Sequence, residues 1–256
     1  MAEFLRLRDL RIEANNQMLV DGVCLELKPG RLTVLVGASG SGKSLTARAL
    51  LGLVDASPGV THAELEVQFG NRRCHPYKDG SFDQLRGAVI GWMPQDSRGA
   101  LDPLWTVGRQ VRESLKLAKR PTDPVPWLKR AGFSDPERAT LLYAHELSGG
   151  MAQRACIALA LARGSRYLLA DEPTTGLDST VQEGILDELV GLKREGVGIL
   201  LITHDLRLVP RLGDQLLVMA EGRLVEDLPA RDLQKVSAPE ARQLLEATRR
   251  IGGGLL

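Results

Sequence analysis

Three short segments carry residues suited to holding and cleaving a polyphosphate. Gly37-Ala38-Ser39-Gly40-Ser41-Gly42-Lys43-Ser44, followed by Leu45, matches G-x-x-x-x-G-K-[ST]. Glycines at this spacing let successive backbone N–H groups turn inward around a β-phosphate. The lysine reaches the β- and γ-phosphates, and the Ser44 hydroxyl can ligate Mg2+. A second segment, HELSGGMAQR from His145 to Arg154, repeats the theme in Ser148-Gly149-Gly150: a hydroxyl, two bare backbones and the start of a helical run. One chain thus carries two apparent phosphate cradles. The third segment, Tyr167-Leu-Leu-Ala-Asp171-Glu172, reads as a buried strand ending in two carboxylates. Asp171 there can hold Mg2+ through water, and Glu172 can orient or deprotonate an attacking water. Paired acids at a strand end are often only solvated loop residues; with Lys43 upstream, the catalytic reading is the stronger one.

Periodicity indicates the elements that must position these groups. Leu5, Leu7 and Leu10, then Val23, Leu25 and Leu27, recur mostly at two-residue spacing, as in half-buried strands of an antiparallel sheet. Leu32–Val36 is a short apolar run feeding the glycine-rich loop, with a helix expected from near Ser44 that adds its positive dipole end. Further strands are expected near Glu64–Phe69 and Ala88–Met93. From about Asp96 to Leu147 the pattern turns helical, in RQVRESLKLAKR and DPERATLLYAHEL, broken by Pro121, Pro124, Pro126 and Pro136. Strand and helix then alternate again: a strand at Tyr167–Asp171, a helix at Ser179–Arg194 with Ser179 as its cap, and a strand at Val197–Thr203. A hairpin turns at Glu221-Gly222, and the tail from Pro229 to Arg250 reads as helical before a frayed GGGLL. Buried strands alternating with helices imply a parallel sheet covered on both faces.

Composition narrows the class. In 256 residues, Lys+Arg 33 against Asp+Glu 32 leaves no broad basic face for nucleic acid. Cys24, Cys74 and Cys156 are far apart and odd in number, so they read as buried free thiols in a reducing compartment rather than a disulfide or zinc framework. The N-terminal MAEFLRLRDLRIEA has no apolar core of a signal peptide, and runs such as GILLI fall far short of the ~20 residues that span a bilayer. The expectation is a cytoplasmic chain whose membrane role would need a partner.

Taken in order, Gly37–Ser44, Gln95, Leu147-Ser-Gly-Gly-Met151, Leu168–Glu172, Thr175-Gly-Leu-Asp178 and His204 resemble the motifs of ATP-binding cassette (ABC) ATPases, over nearly the whole chain. The resemblance implies an α/β P-loop ATPase fold with a mostly parallel core sheet, an N-terminal antiparallel β-subdomain and a helical subdomain at about residues 96–150. It implies one ABC ATPase domain over residues 1–256, with a short tail from 229. It also implies Mg2+-dependent ATP hydrolysis by two cassettes with two nucleotides sandwiched between them. On that analogy Ser148, Gly149 and Gly150 close over the γ-phosphate held by the partner's loop and form the second half of a site. Gln95 contacts Mg2+ and the attacking water, Asp178 lies at the dimer contact or caps the helix after Leu177, and His204 touches the γ-phosphate.

Two departures stand out. The loop IEANNQMLV lacks the aromatic ring that most members place against adenine, leaving Ile12 or Met18 as apolar contacts. Met151 replaces the commoner Gln of the signature, outside its phosphate-contacting Ser-Gly-Gly. MPQDSRGALDPLWTVGRQV, AHELSGGMAQR and GSGKSLT are most similar to the ATPases of dipeptide, oligopeptide and nickel importers, and the short length to the nickel-importer ATPase. This implies a second, related ATPase subunit (or a second copy), two permeases and an extracytoplasmic binding protein, with the chain at the cytoplasmic face of a bacterial membrane. Leu101, Leu104 and Trp105 are candidate permease anchors. An alternative within the same branch is the ATPase of a soluble phosphonate-degrading complex. No heptad run supports a coiled-coil DNA-repair ATPase, and intact Lys43, Asp171, Glu172 and His204 argue against a non-catalytic cassette.

Overall fold

The computed structural model describes residues 3–55 and 57–250. In chain order it forms β1 (Phe4–Ala14), β2 (Gln17–Leu27), β3 (Leu32–Val36), α1 (Lys43–Leu50), β4 (Gly59–Phe69), β5 (Arg72–Cys74) and the short turns α2 (Pro76–Asp79) and α3 (Phe82–Leu85). There follow β6 (Ile90–Met93), α4 (Val107–Leu117), α5 (Val125–Arg130), α6 (Pro136–Ala139), α7 (Gly149–Arg163), β7 (Tyr167–Asp171) and α8 (Ser179–Arg194). The last part holds β8 (Gly198–Ile202), α9 (Leu208–Leu212), β9 (Gln215–Ala220), β10 (Arg223–Pro229) and α10 (Pro239–Arg250). The chain divides into two compact units, Met1–Gln84 with Gly198–Leu256, and Leu85–Val197.

The first unit contains two sheet systems. One is antiparallel, in the order β2-β1-β4-β5. In β1 the side chains of Leu5, Leu7, Leu10 and Ile12 are all fully buried. The three-residue step from Leu7 to Leu10 is a register shift at which Asp9 takes a left-handed backbone, φ 46. That bulge explains why the leucines depart from strict alternation: the extra residue bends the strand and restores the inward face. On the other face Arg6 pairs with Glu26 at 2.6 Å, a cross-strand pair of opposite charge. The second system has the order β10-β9-β3-β8. Here β3 lies between two parallel neighbours, and all five of its residues are buried. A strand covered on both faces needs an unbroken apolar run, as LTVLV provides.

In the second unit β6 and β7 pair in parallel, and α7 packs on α4, α5 and β6. RQVRESLKLAKR enters α4 as far as Leu117, and the helix is capped by Thr106, whose hydroxyl accepts from Arg109 N at 3.3 Å. DPERATLLYAHEL departs from the helix expected of it. Only α6 and a 3-10 turn at Ala144–Glu146 form. Between them the chain serves the start of α4: the Leu142 and Thr140 carbonyls accept from Val107 N at 2.8 Å and Gly108 N at 3.2 Å. Those are amides that a helix start leaves without partners.

Other differences are local. β4 begins at Gly59, earlier than expected, because it pairs along most of β1. Asp178 rather than Ser179 caps α8, since its carboxylate accepts from Val181 N at 3.0 Å. Cys24 is exposed; Cys74 and Cys156 are buried free thiols. The tail is a 3-10 turn at Ala230–Lys235 followed by α10; GGGLL lies outside the described residues. Among the described residues no helix is long and apolar enough to cross a membrane.

Candidate functional site

The glycine-rich loop leaves β3 and enters α1. Gly42 is left-handed, φ 102, and a Cβ there would lie 2.7 Å from Met219 Cε and 3.0 Å from Val20 Cγ2. A Cβ at Gly37 would overlap the Met219 carbonyl. The loop is therefore pinned on β2 and β9, and only glycine fits at those two points. Lys43 is 6% exposed. Its ammonium donates to the carbonyls of Gly37 at 2.9 Å and Ala38 at 2.8 Å, and to Ser41 Oγ at 3.3 Å. Ala38, Ser39 and Gly40 are exposed at the loop crest, and Ser44 and Leu45 are half-buried in the first turn of α1. That helix has no side-chain cap and no acid in its first turn. A helix start without a negative cap, beside a lysine ammonium, is suited to an anion.

His204 follows β8 in the same unit. Leu35 of β3 pairs with Ile202 of β8. Continuing that register by two residues brings Gly37 and His204 off neighbouring strands at the same level. Thr203 N donates to Leu35 O at 3.1 Å, and Thr203 Oγ1 accepts from Asp205 N at 3.0 Å. These bonds fix the turn that presents the exposed His204. Asp205 is held by Arg207, with Nε and Nη2 contacts of 2.8 and 2.7 Å. Burial pushes the Asp205 carboxyl upward, but the hydrogen bonds and charge of Arg207 outweigh it and hold the group below its ordinary range.

In the second unit the register of β6 and β7 does the corresponding work. Met93 pairs with Ala170, so two residues further on Gln95 and Glu172 emerge together. Gln95 Nε2 lies 3.5 Å from Glu172 Oε2, and the Thr175 hydroxyl donates to the same oxygen at 2.9 Å. Glu172 has a left-handed backbone, φ 47, rare for a residue with a side chain and a common mark of a functional turn. Asp171, the last residue of β7, is 5% exposed.

Ser148 caps α7, its hydroxyl accepting from Met151 N at 3.3 Å. Ser148 and Gly149 are exposed, and Gly150 is buried. A Cβ at Gly149 would lie 2.8 Å from Leu177 Cδ2, and one at Gly150 would overlap Val181. Gly150 is thus required by its own chain's packing, whereas at Gly149 only the flexible end of Leu177 would have to move. Arg98, which the motifs did not single out, donates to the Leu147 carbonyl just before Ser148. It ties the segment after Gln95 to the signature turn; nothing in its spacing marks it.

Of the two apolar residues left for a base, Ile12 is fully buried and Met18 is 43% exposed, so only Met18 can face a ligand. Among the docking candidates Leu101 is 3% exposed and is core, whereas Leu104 is 80% exposed. Trp105 lies under Arg109, whose guanidinium carbon is 3.9 Å from the ring centroid.

Among the described residues no group of three His, Cys, Asp or Glu side chains could enclose a metal. Ser44, Asp171 and Gln95 offer hydroxyl, carboxylate and amide oxygens. Such hard donors fit Mg2+, which keeps much of its water and borrows phosphate oxygens.

The model of the ABC transporter family matches residues 20–175. The chain is 40% identical over 221 residues to the dipeptide transport ATP-binding protein DppD of Haemophilus influenzae, covering 84% of this chain and 66% of the relative. It is 39% identical over 240 residues to the nickel import ATP-binding protein NikD of Brucella suis, covering 91% of this chain and 88% of the relative. The chain spans just under two thirds of the dipeptide relative's length, and 40% of the oligopeptide transport protein OppD of Mycobacterium tuberculosis. The dimeric structure of the bacterial ABC transporter cassette MJ0796 is similar in fold, with a TM-score of 0.74 at 27% identity, covering 89% of this chain and 99% of that one.

Proposed function

The chain belongs to the ABC transporter family, and on that premise we propose that it is the ATP-binding and ATP-hydrolysing subunit of an importer that takes up peptides or nickel. The observation that carries the reading is the strand-end arrangement in which Thr175 and Gln95 hold the Glu172 carboxylate beside the buried Asp171. It supplies a general base and a metal-binding acid on consecutive residues.

The chain's own groups divide the work. The Lys43 ammonium and the first-turn amides of α1 hold the β- and γ-phosphates. Ser44 and Asp171 hold Mg2+, with Gln95 as a further oxygen donor; when bound, the ion offsets phosphate charge. Thr175 and Gln95 anchor one oxygen of the Glu172 carboxylate, which takes a proton from water as the water oxygen attacks the γ-phosphorus. The bond to the bridging oxygen breaks, and ADP leaves with inorganic phosphate as the other product. His204 donates to the γ-phosphate. The Ser148-Gly149-Gly150 turn completes the site of a second cassette, and Asp178 lies at that contact. A related structure is of an ADP- and Pi-bound, post-hydrolysis dimer, at a TM-score of 0.72 and 27% identity.

In this reading residues 1–256 act as one ABC ATPase domain, with residues 96–150 as its helical part and the tail from 229 as an appendage. Two permeases anchor it at the cytoplasmic face of the cell membrane, with Leu104 in the docking surface, and an extracytoplasmic binding protein delivers the cargo. The relatives named for dipeptide and nickel transport support that cargo range. The test is phosphate release from ATP by the purified chain with and without Mg2+, together with recovery of permeases on the tagged chain from membranes. Absence of Mg2+-dependent release from both the chain and its recovered complex would refute it.

A further inference from the structure

α7 begins at the signature turn and α8 begins at Asp178, and the two helices pack on each other. Midway along them Arg154 of α7 faces Glu188 of α8, with Nε 3.9 Å from Oε1 and side chains 23% and 22% exposed. Arg154 Nε is buried and has no hydrogen-bond partner. The pair is therefore attracted by charge without the bonds that would offset its desolvation, and such a pair does little for stability. Burial raises the Glu188 carboxyl above its ordinary value, Arg154 opposes that, and neighbouring Asp187 adds to it.

The backbone has been cleared to admit this pair. A Cβ at Gly184, inside α8, would lie 2.7 Å from Arg154 Nη2. A Cβ at Gly132, in the turn after α5, would overlap the Glu188 carboxylate and lie 3.0 Å from Arg154 Nε. Glycine is a poor residue for a helix interior. Gly132 is left-handed, φ 84, and calls for glycine on that ground alone; Gly184 and the incompletely bonded charge pair coincide at one place. What they preserve is a charged contact between the helix that carries Ser148-Gly149-Gly150 and the helix that carries Asp178.

We propose that Arg154 and Glu188 are a positioning pair that sets the angle between α7 and α8, and so aims the signature turn at the nucleotide of the facing cassette. The inference rests on the ATPase reading above and adds residues that touch neither nucleotide nor metal. Neither residue reacts; each acts through the helix that bears it.

Gly184→Ala separates aim from fold. It adds a better helix former, yet its methyl displaces the Arg154 head. The melting temperature should hold or rise, nucleotide affinity of the single chain should be unchanged, and kcat should fall by about ten- to a hundred-fold, the scale of a small misplacement. Glu188→Gln keeps the shape and removes the charge, and should lower kcat in the same way. The reciprocal double variant Arg154→Glu with Glu188→Arg should recover turnover relative to either single reversal. A wild-type chain that binds no nucleotide would overturn the ATPase reading and this inference with it. With an active wild type, full turnover in both Gly184→Ala and Glu188→Gln, or turnover losses that merely track losses in melting temperature, would overturn this inference alone.

Discussion

Gly150 of α7 lies so close to Val181 of α8 that a methyl group at position 150 would overlap the valine side chain. The glycine proposed to offer its amide to a phosphate is therefore also the point where the two helix starts meet. Asp178 reinforces the junction by accepting from Val181 N at 3.0 Å, while Ser148 caps the facing helix.

Gly150→Ala should destabilise the chain by about 1–3 kcal/mol through overpacking against Val181. Gly150→Ala with Val181→Ala should recover most of that stability, because the second change returns the volume. Denaturant unfolding of the two single variants and the double variant measures the coupling. Simple additivity of the two losses would show that the contact is not the cause.

Lys43→Ala should lower nucleotide affinity by about ten- to a hundred-fold, from loss of a charge-assisted bond of ~1.5–3 kcal/mol. The fold should survive, because β3 and the glycine clearances remain. Fluorescent-nucleotide titration reads the effect, and an unchanged dissociation constant would remove Lys43 from the site.

Glu172→Gln should keep nucleotide binding and lose ~10²–10⁴-fold in turnover, the usual cost of removing a general base. The amide keeps the shape that Thr175 and Gln95 hold, so ATP should accumulate in a closed pair of cassettes. Single-turnover kinetics measures this; near-normal chemistry would assign the base elsewhere.

Much of this was legible in the sequence for definite reasons. The loop after Val36, the acids after Ala170 and the signature before Met151 are local patterns, and the strands and helices beside them follow from period. Tyr167–Asp171 forms the strand expected of it, because a four-residue apolar run ending in acids has few alternatives. What sequence could not show is what depends on distant packing. DPERATLLYAHEL failed as a helix because its backbone serves the start of α4. Leu101 looked like a surface anchor and is core. Sequence offered both Ser179 and Asp178 as the cap of α8, and the carboxylate of Asp178 takes the role by accepting from Val181 N. Arg98 and Arg154 lie inside the quoted segments without a role of their own and Glu188 lies outside them, since their partners are set only when helices pack.

The Asp205 carboxyl next to His204 should make a pH-dependent contribution to stability. Burial opposes ionisation there, but the bonds from Arg207 prevail and lower its pKa from 3.8. A lowered folded-state value gives stability that is present above the ordinary carboxylate pKa and is lost as pH falls through the folded value. The difference in melting temperature between wild type and Asp205→Asn should therefore be larger at pH 7 than at pH 3. A difference that grew on acidification would contradict the sign.

In the proposed dimer each phosphate loop works with the signature of the other cassette. Ser148→Asp is a suitable probe: aspartate is a good helix cap and adds a negative charge at the turn proposed to face the γ-phosphate. Two kinds of mixed dimer are isolated through different affinity tags, and their ATP turnover is compared. One joins a Lys43→Ala chain to a Ser148→Asp chain; the other joins a chain with both changes to a wild-type chain. Acting across the dimer, the first arrangement puts both lesions in one site and leaves the other intact, whereas the second damages both sites. Turnover should then be higher in the first arrangement; higher turnover in the second would show that each signature serves its own chain's loop.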